Sequence, residues 1–247
     1  MWVKNQSPEI DIHCHILPGM DDGPRLLATS LAMASIAAND GIKTIIATPH
    51  TDGRRVNRER VKLSVNHLNH ELSRENITIK VISGFEIPYH LINELASSHT
   101  LGSSKFVLIE FPHNFIPGDA ATTLHRLISK GLQPIIAHPE RNMDILANPD
   151  RVNDLIDTGA KMQVTAAGIT GELGPDIQRC SHYLLQKKQV HFIATDSHSP
   201  SFRKPVLSGA CKIVTRLIGS DQADSIFIRN PGRIIQSNGI TDSLRHG

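Results

Sequence analysis

Seven short, β-rich apolar runs recur along the chain, most of them followed by a helical pattern, and this alternation constrains the fold more than any other feature. The runs are Ile10 to Ile12, Lys43 to Ala47, Ile77 to Ile82, Phe106 to Ile109, Pro134 to Ala137, Lys161 to Val164 and Val190 to Ala194. Continuous apolar runs of this length read as strands buried on both faces, as in a parallel sheet. Six of the seven end in polar side chains suited to binding a cation: Asp11-Ile12-His13-Cys14-His15, Thr48-Pro49-His50, Gly84-Phe85-Glu86, Glu110-Phe111-Pro112, His138-Pro139-Glu140-Arg141 and Thr195-Asp196-Ser197-His198. An open sheet collects ligands from a few strands at its switch point, whereas a barrel brings every strand C-terminus to one rim. The pattern therefore predicts an α/β chain closed as a barrel, with seven strands rather than eight.

The segments between the runs carry helix punctuation. Val61, Val65, Leu68 and Leu72 make one apolar face. Asn148-Pro149 supplies an N-cap and a first-turn proline, and Gly159 closes that helix. Leu124, Leu127 and Ile128 followed by Gly131 repeat the pattern. No linker-like segment and no repeat interrupts the chain, so residues 1–247 are expected to form one domain.

The candidate ligands define the chemistry. His13 and His15 stand at i and i+2, which on a strand aims both imidazoles to one side. Asp196 and His198 repeat that spacing. A lone His50 or His138, or a lone Glu86 or Glu110, would read as an ordinary hydrogen-bonded residue. Their joint appearance at strand ends favours a metal site. With Asp22 they make nine groups, His13, His15, Asp22, His50, Glu86, Glu110, His138, Asp196 and His198, too many for one ion. The set holds imidazoles and carboxylates without thiolate, which favours hydrolytic Mn, Fe or Zn in mixed coordination. Two or three ions fit the count. Three divalent ions against four carboxylates leave net positive charge suited to a phosphate dianion, with a metal-activated water as nucleophile. Arg141 and Arg203 lie in loops on the same side, and guanidinium forks bind phosphate oxygens.

Other chemistries and settings are excluded by counting. Six residues beyond Cys14, Cys180 and Cys211 stand Met20, Gln186 and Leu217, so the cysteine-phosphatase spacing to an arginine is missing. Neither a GxSxG elbow nor a GxxxxGK[ST] loop occurs. A net charge of +2 and 4% aromatic residues argue against a nucleic-acid platform. Three scattered cysteines make no disulfide framework, no signal peptide or membrane-length apolar run is visible, and a cytoplasmic setting is expected. The basic stretch Gly53 to Arg60 reads as a solvated helix start beside His50.

At this point the motifs DIHCHILPGMDDGP, ATPH, GFEI, LIEFP, IIAHPERN, QVTAAGITGELG and HFIATDSHS resemble the PHP (polymerase and histidinol phosphatase) superfamily. Within it they resemble the bacterial protein-tyrosine phosphatases of capsule and exopolysaccharide synthesis, the CpsB/CapC type. The resemblance runs from about Asp11 to the NPGRII segment. It implies a distorted (β/α)7 barrel and a metal-dependent phosphatase, usually with manganese. Carried over, it makes ligands of His13, His15, Asp22, His50, Glu86, Glu110, His138, Asp196 and His198, and phosphate binders of Arg141 and, by spacing alone, Arg203. Cys14 and Thr195 depart from the pattern without touching a ligand. The implied partner is the phosphotyrosine-bearing tail of a membrane tyrosine autokinase. The rival expectations are a PHP phosphoesterase for a small ester such as histidinol phosphate, and a silent barrel that only binds a partner.

Overall fold

The apolar runs become the staves of a ring in a computed structural model that describes residues 8–236. The strands are β1 (Ile10–Cys14), β2 (Thr44–Ala47), β3 (Lys80–Ser83), β4 (Glu86–Pro88), β5 (Phe106–Glu110), β6 (Gln133–Ala137), β7 (Lys161–Thr165) and β8 (Phe192–Ala194). Every pairing is parallel, β1 with β2 and β2 with β3, then β4 through β8 in sequence order. The ring closes where the amide of Asp196 donates to His13 O at 2.8 Å and that of His15 to Ser197 O at 2.9 Å.

The third apolar run, Ile77 to Ile82, supplies β3, and the segment just after it adds a second strand, β4. β3 pairs with β2, the chain steps sideways through Gly84-Phe85, and β4 continues beside β5. A parallel bridge from His50 to Glu86 keeps β4 tied to the second stave. β3 and β4 thus share one position in the ring, and the barrel has seven staves, as the sequence predicts. Gly84 makes the step feasible, because a Cβ there would lie 2.6 Å from Ile46 Cγ2.

Helices pack around the ring: α1 (Leu27–Asp40), α2 (Arg58–Arg74), α3 (Ile92–Leu95), α4 (Ala120–Ser129), α5 (Met143–Ala147), α6 (Val152–Asp157), α7 (Ala166–Thr170), α8 (Pro175–Gln186), α9 (Ser208–Ile218) and α10 (Ser220–Asp224), while α11 (Asn230–Gln236) adds Ile234 and Ile235 to the core inside it. Asn57 caps α2 by accepting from the Arg60 amide, and Val61, Val65, Leu68 and Leu72 are its buried face. Asn148 accepts from the Asp150 amide and starts the turn that leads into α6, which ends before Gly159 at φ 98°. No helix among the described residues is long and apolar enough to cross a membrane.

The core divides in two. A larger cluster lies between staves and helices, with Val107, Ile109, Ile136, Met162 and Val164 on the strand side. A smaller one takes the alternate residues Phe106, Leu108, Ile135, Ala137, Phe192 and Ala194 and fills the inside of the ring. Ile12 belongs to that inner cluster. The register of β1 shifts between Asp11 and Cys14, which lets the neighbouring His13 also serve the interior.

Candidate metal centre and active site

The strand C-termini meet at one rim, and the ring brings all nine predicted ligand residues together there. His13 and His15 leave β1 with their Nε2 atoms 3.1 Å apart. Both face Glu86 Oε2, at 3.3 and 3.2 Å, and Asp196 Oδ1, at 3.3 and 3.4 Å. These four residues are fully buried and form one set able to surround a cation.

Two further sets share members with the first. His50 Nδ1 lies 3.2 Å from Glu86 Oε2 and 3.5 Å from Glu110 Oε2. His198 Nε2 and His50 Nε2 approach Asp22 Oδ1 at 3.3 and 3.7 Å, with His15 completing the group. His138 Nε2 touches Glu86 Oε1 at 2.9 Å and faces Glu110 Oε1 at 3.8 Å. Glu86 and His50 each belong to two sets, as does His15, so neighbouring candidate cation sets share ligands. The donors fit a metal on a second ground. Glu86 Oε2 is buried and makes no well-aligned hydrogen bond, although imidazole nitrogens of His13, His15 and His50 stand 3.2–3.3 Å from it, an arrangement that a cation between these donors would satisfy.

The cluster's charges are mutually dependent. Burial pushes the Glu86 and Asp196 carboxyls up, yet the imidazoles around them, His13 foremost, draw both well below the carboxylate range. Burial pushes the His13 and His15 imidazoles down, and facing carboxylates override it and raise both. In the absence of a cation, protons on imidazoles balance the buried carboxylates; a divalent ion would displace them.

The arginines converge on the far side of one ligand. Arg141 Nη1 donates to Asp196 Oδ2 at 2.7 Å and Arg203 Nη1 to the same oxygen at 2.8 Å. Asp196 thus presents Oδ1 to the histidines and Oδ2 to two guanidinium groups. Among the described residues, three of the five non-glycine positions with positive φ sit here, His138 at 33°, Asp196 at 50° and Arg203 at 50°. Such backbone strain concentrates at functional sites. A cavity of about 170 Å³ opens beside them, lined by Glu110, His113, His138 and Arg141 among others.

Several residues that orient the cluster were not foreseen. Asp21, and not only Asp22, is part of the site. Asp21 Oδ2 lies 2.7 Å from His15 Nδ1 and accepts from the His50 amide at 3.0 Å. Gly23 follows so tightly that a Cβ would overlap His15 O, which explains the glycine of the DDG turn. Gln163 Oε1 accepts from His13 Nδ1 at 2.7 Å. Asp11, pushed up to about 6 by burial, accepts from the Thr195 amide and hydroxyl at 3.0 and 2.5 Å. Glu140 accepts from the Thr165 amide and hydroxyl at 2.8 and 2.7 Å and ties the HPER turn to β7. One signal pointed to Gln163 and Asp11: each is a polar residue between two apolar neighbours in a strand run, Met162 and Val164 for Gln163 and Ile10 and Ile12 for Asp11. Cys14 stays outside the cluster, with its thiol directed toward Ser197 O at 3.8 Å.

Comparison with known proteins agrees with this geometry. Residues 9–236 match the family described as "Capsular polysaccharide synthesis, CpsB/CapC". The tyrosine-protein phosphatase YwqE of Bacillus subtilis (strain 168) is 37% identical over 218 residues, covering 86% of each chain. The tyrosine-protein phosphatase CpsB of Streptococcus pneumoniae is 31% identical over 237 residues, 92% of this chain and 98% of that one. A solved structure from work on YwqE of B. subtilis and CpsB of S. pneumoniae, described as unique metal-dependent tyrosine phosphatases, superposes with a TM-score of 0.86. It is 35% identical and covers 92% of this chain and 94% of its own. A histidinol phosphate phosphatase from Lactococcus lactis, at 15% identity and a TM-score of 0.55, shares the fold. The chain therefore belongs to the CpsB/CapC family of capsular polysaccharide synthesis.

Proposed function

We propose that this chain is a metal-dependent protein-tyrosine phosphatase acting in capsular or exopolysaccharide synthesis, with residues 1–247 working as one domain. The observation that carries the reading is Asp196, whose one oxygen belongs to a cation-binding set while the other gathers Arg141 and Arg203. A phosphate placed there meets cations on one side and two guanidinium groups on the other, which is the environment phosphoryl transfer requires. The ligand set His13, His15, Asp22, His50, Glu86, Glu110, His138, Asp196 and His198 would hold two or three ions. We assign manganese, with iron and zinc also compatible with these N and O donors. Bound divalent cations would lower the pKa of a water toward neutrality and neutralise phosphoryl charge.

The chain's own residues do the rest. Arg141 and Arg203 grip the phosphoryl oxygens and hold the ester in line for attack. Gln163 and Asp21 fix the rings of His13 and His15, so that each presents Nε2 to the centre. A tyrosinate leaving group has a conjugate-acid pKa near 10, so its departure asks little of a general acid. The names of the relatives above support a phosphotyrosine substrate. The partner we infer is the phosphotyrosine-bearing tail of a membrane tyrosine autokinase, met in the cytoplasm.

The test is phosphate release from a phosphotyrosine peptide by metal-stripped protein, before and after Mn is added. His138→Ala serves as a control and histidinol phosphate is run in parallel. Mn-dependent turnover of the peptide that the variant loses is the expected result. Turnover of histidinol phosphate alone would move the function to a small phosphate ester.

A further inference from the structure

Five large apolar side chains are strongly exposed among the described residues: Leu26, Leu63, Phe115, Met143 and Phe202. Only Leu63 lies away from the site, on the outer face of α2. The other four follow β1, β5, β6 and β8, Leu26, Phe115 and Phe202 in loops and Met143 at the first residue of α5, at the end of the ring that carries the cation-binding cluster. Large apolar side chains exposed singly are ordinary, but several of them along the rim of one site point to a ligand that covers them.

Two of these residues are held beside the phosphate-binding arginines. Phe202 directly precedes Arg203, in a turn where Ser199 Oγ accepts from the Phe202 amide at 3.0 Å and donates to Phe202 O at 2.8 Å. Phe115 is tied to the residue after Arg141. Asn142 Nδ2 donates to Phe115 O at 3.0 Å and to Pro112 O at 2.8 Å. Met143 adds to that side, with its amide donating to His113 O at 2.9 Å. Phe202 thus shares a loop with Arg203, Phe115 stands on the neighbouring loop that Asn142 ties to the Arg141 turn, and both contacts are made by side-chain hydrogen bonds.

We propose that Phe115 and Phe202 are specificity-determining residues that receive the aromatic ring of an aryl phosphate ester whose phosphate is held by Arg141 and Arg203. The proposal rests on the phosphatase reading above and extends it to leaving-group selection. In an aryl ester the ring is joined to phosphorus through one oxygen, so a phosphate seated on the two arginines brings its ring to the loops that carry the phenylalanines. Edge-to-face and offset contacts between rings, with the thioether of Met143 alongside, then reward an aromatic leaving group. A serine or threonine ester has too short and too narrow a side chain to cover this rim.

The test compares binding of phenylphosphonate and methylphosphonate, which cannot be hydrolysed as esters, to the Mn-loaded protein by calorimetry. Wild type is expected to prefer the phenyl compound by about tenfold. Phe115→Ala and Phe202→Ala should each cut that preference severalfold, and the double variant should abolish it. Methylphosphonate affinity should not change. Phe202→Leu, which keeps apolar bulk without a ring, should fall between. Both phenylalanines are more than half exposed, at 52% and 60%, so the variants should melt with the wild type. Three results would overturn the proposal: no phenyl preference in wild type, a preference retained in the double variant, or equal weakening of both ligands. Failure of the phosphatase reading would appear separately, as wild type that prefers phenylphosphonate yet releases no phosphate from a phosphotyrosine peptide.

Discussion

Gln163 Oε1 lies 2.7 Å from His13 Nδ1, and both side chains are completely buried. The carboxamide oxygen can only accept, so it holds a proton on Nδ1 and aims Nε2 at Glu86 and Asp196, where a cation would take the place of the proton that these carboxylates favour. Gln163→Leu keeps the volume and removes the acceptor. Metal affinity should drop about 10- to 100-fold, measured by titration against a competing chelator. Unchanged affinity would mean that His13 needs no orienting partner.

Asp22 and Asp21 are adjacent in sequence but do different work. Asp22 is 64% exposed and, among the described residues, belongs to the set built with His15, His50 and His198. Asp21 is nearly buried against His15. Asp22→Ala should leave the fold intact and lower the metal content by about one ion per chain, read by elemental analysis after dialysis. Asp21→Ala should lower both metal affinity and melting temperature, because it leaves His15 Nδ1 without its partner in a buried site. Wild-type stoichiometry in Asp22→Ala would remove this residue from the ligand set.

Arg141 and Arg203 meet on one oxygen, so their effects should not add. Arg141→Lys or Arg203→Lys should each lower kcat/KM for a phosphotyrosine peptide about 10²- to 10³-fold. The double variant should be little worse than the poorer single one. Metal content should be preserved in all three. A loss of metal in parallel with activity would assign the arginines to holding Asp196 rather than phosphate.

His191 predicts an acid limb of stability far from the active site. Burial, aided by the nearby Lys161 charge, pushes its imidazole down to about 4, and Nδ1 accepts from the Met162 amide at 3.2 Å. The unfolded chain takes up this proton near pH 6.5, the folded one only near 4. The contribution is therefore fully present above pH 6.5 and is lost as pH falls toward 4. It amounts to about 3 kcal/mol at most. Urea denaturation between pH 4 and 7 should show a shallower pH dependence in His191→Gln than in wild type. Parallel curves would place the acid sensitivity elsewhere.

The local order of the fold was legible in the sequence. Apolar runs such as Phe106 to Ile109 marked strands because parallel strands buried on both faces admit no polar alternation. The polar residues that end six of the seven runs marked the rim, because a parallel ring has all its C-termini at one end. Local patterning missed the step at Gly84, since Ile77 to Ile82 and Glu86 to Pro88 read as one run with a tail and only lateral pairing divides them.

Distances between staves were decided by tertiary structure alone. DIHCH and TDSH announce histidines and an aspartate 183 residues apart, from His13 to Asp196, but no spacing along the chain states that their atoms stand 3.3 Å apart. That follows from ring closure and the shifted register of β1. The same holds for Glu86 shared among His13, His15, His50 and His138, for Gln163 behind His13, and for two arginines on one Asp196 oxygen. Residue types and periodicity select which groups reach the rim. Which of them share an ion or orient a ring depends on strand register and closure, and these are properties of the whole ring rather than of any one segment.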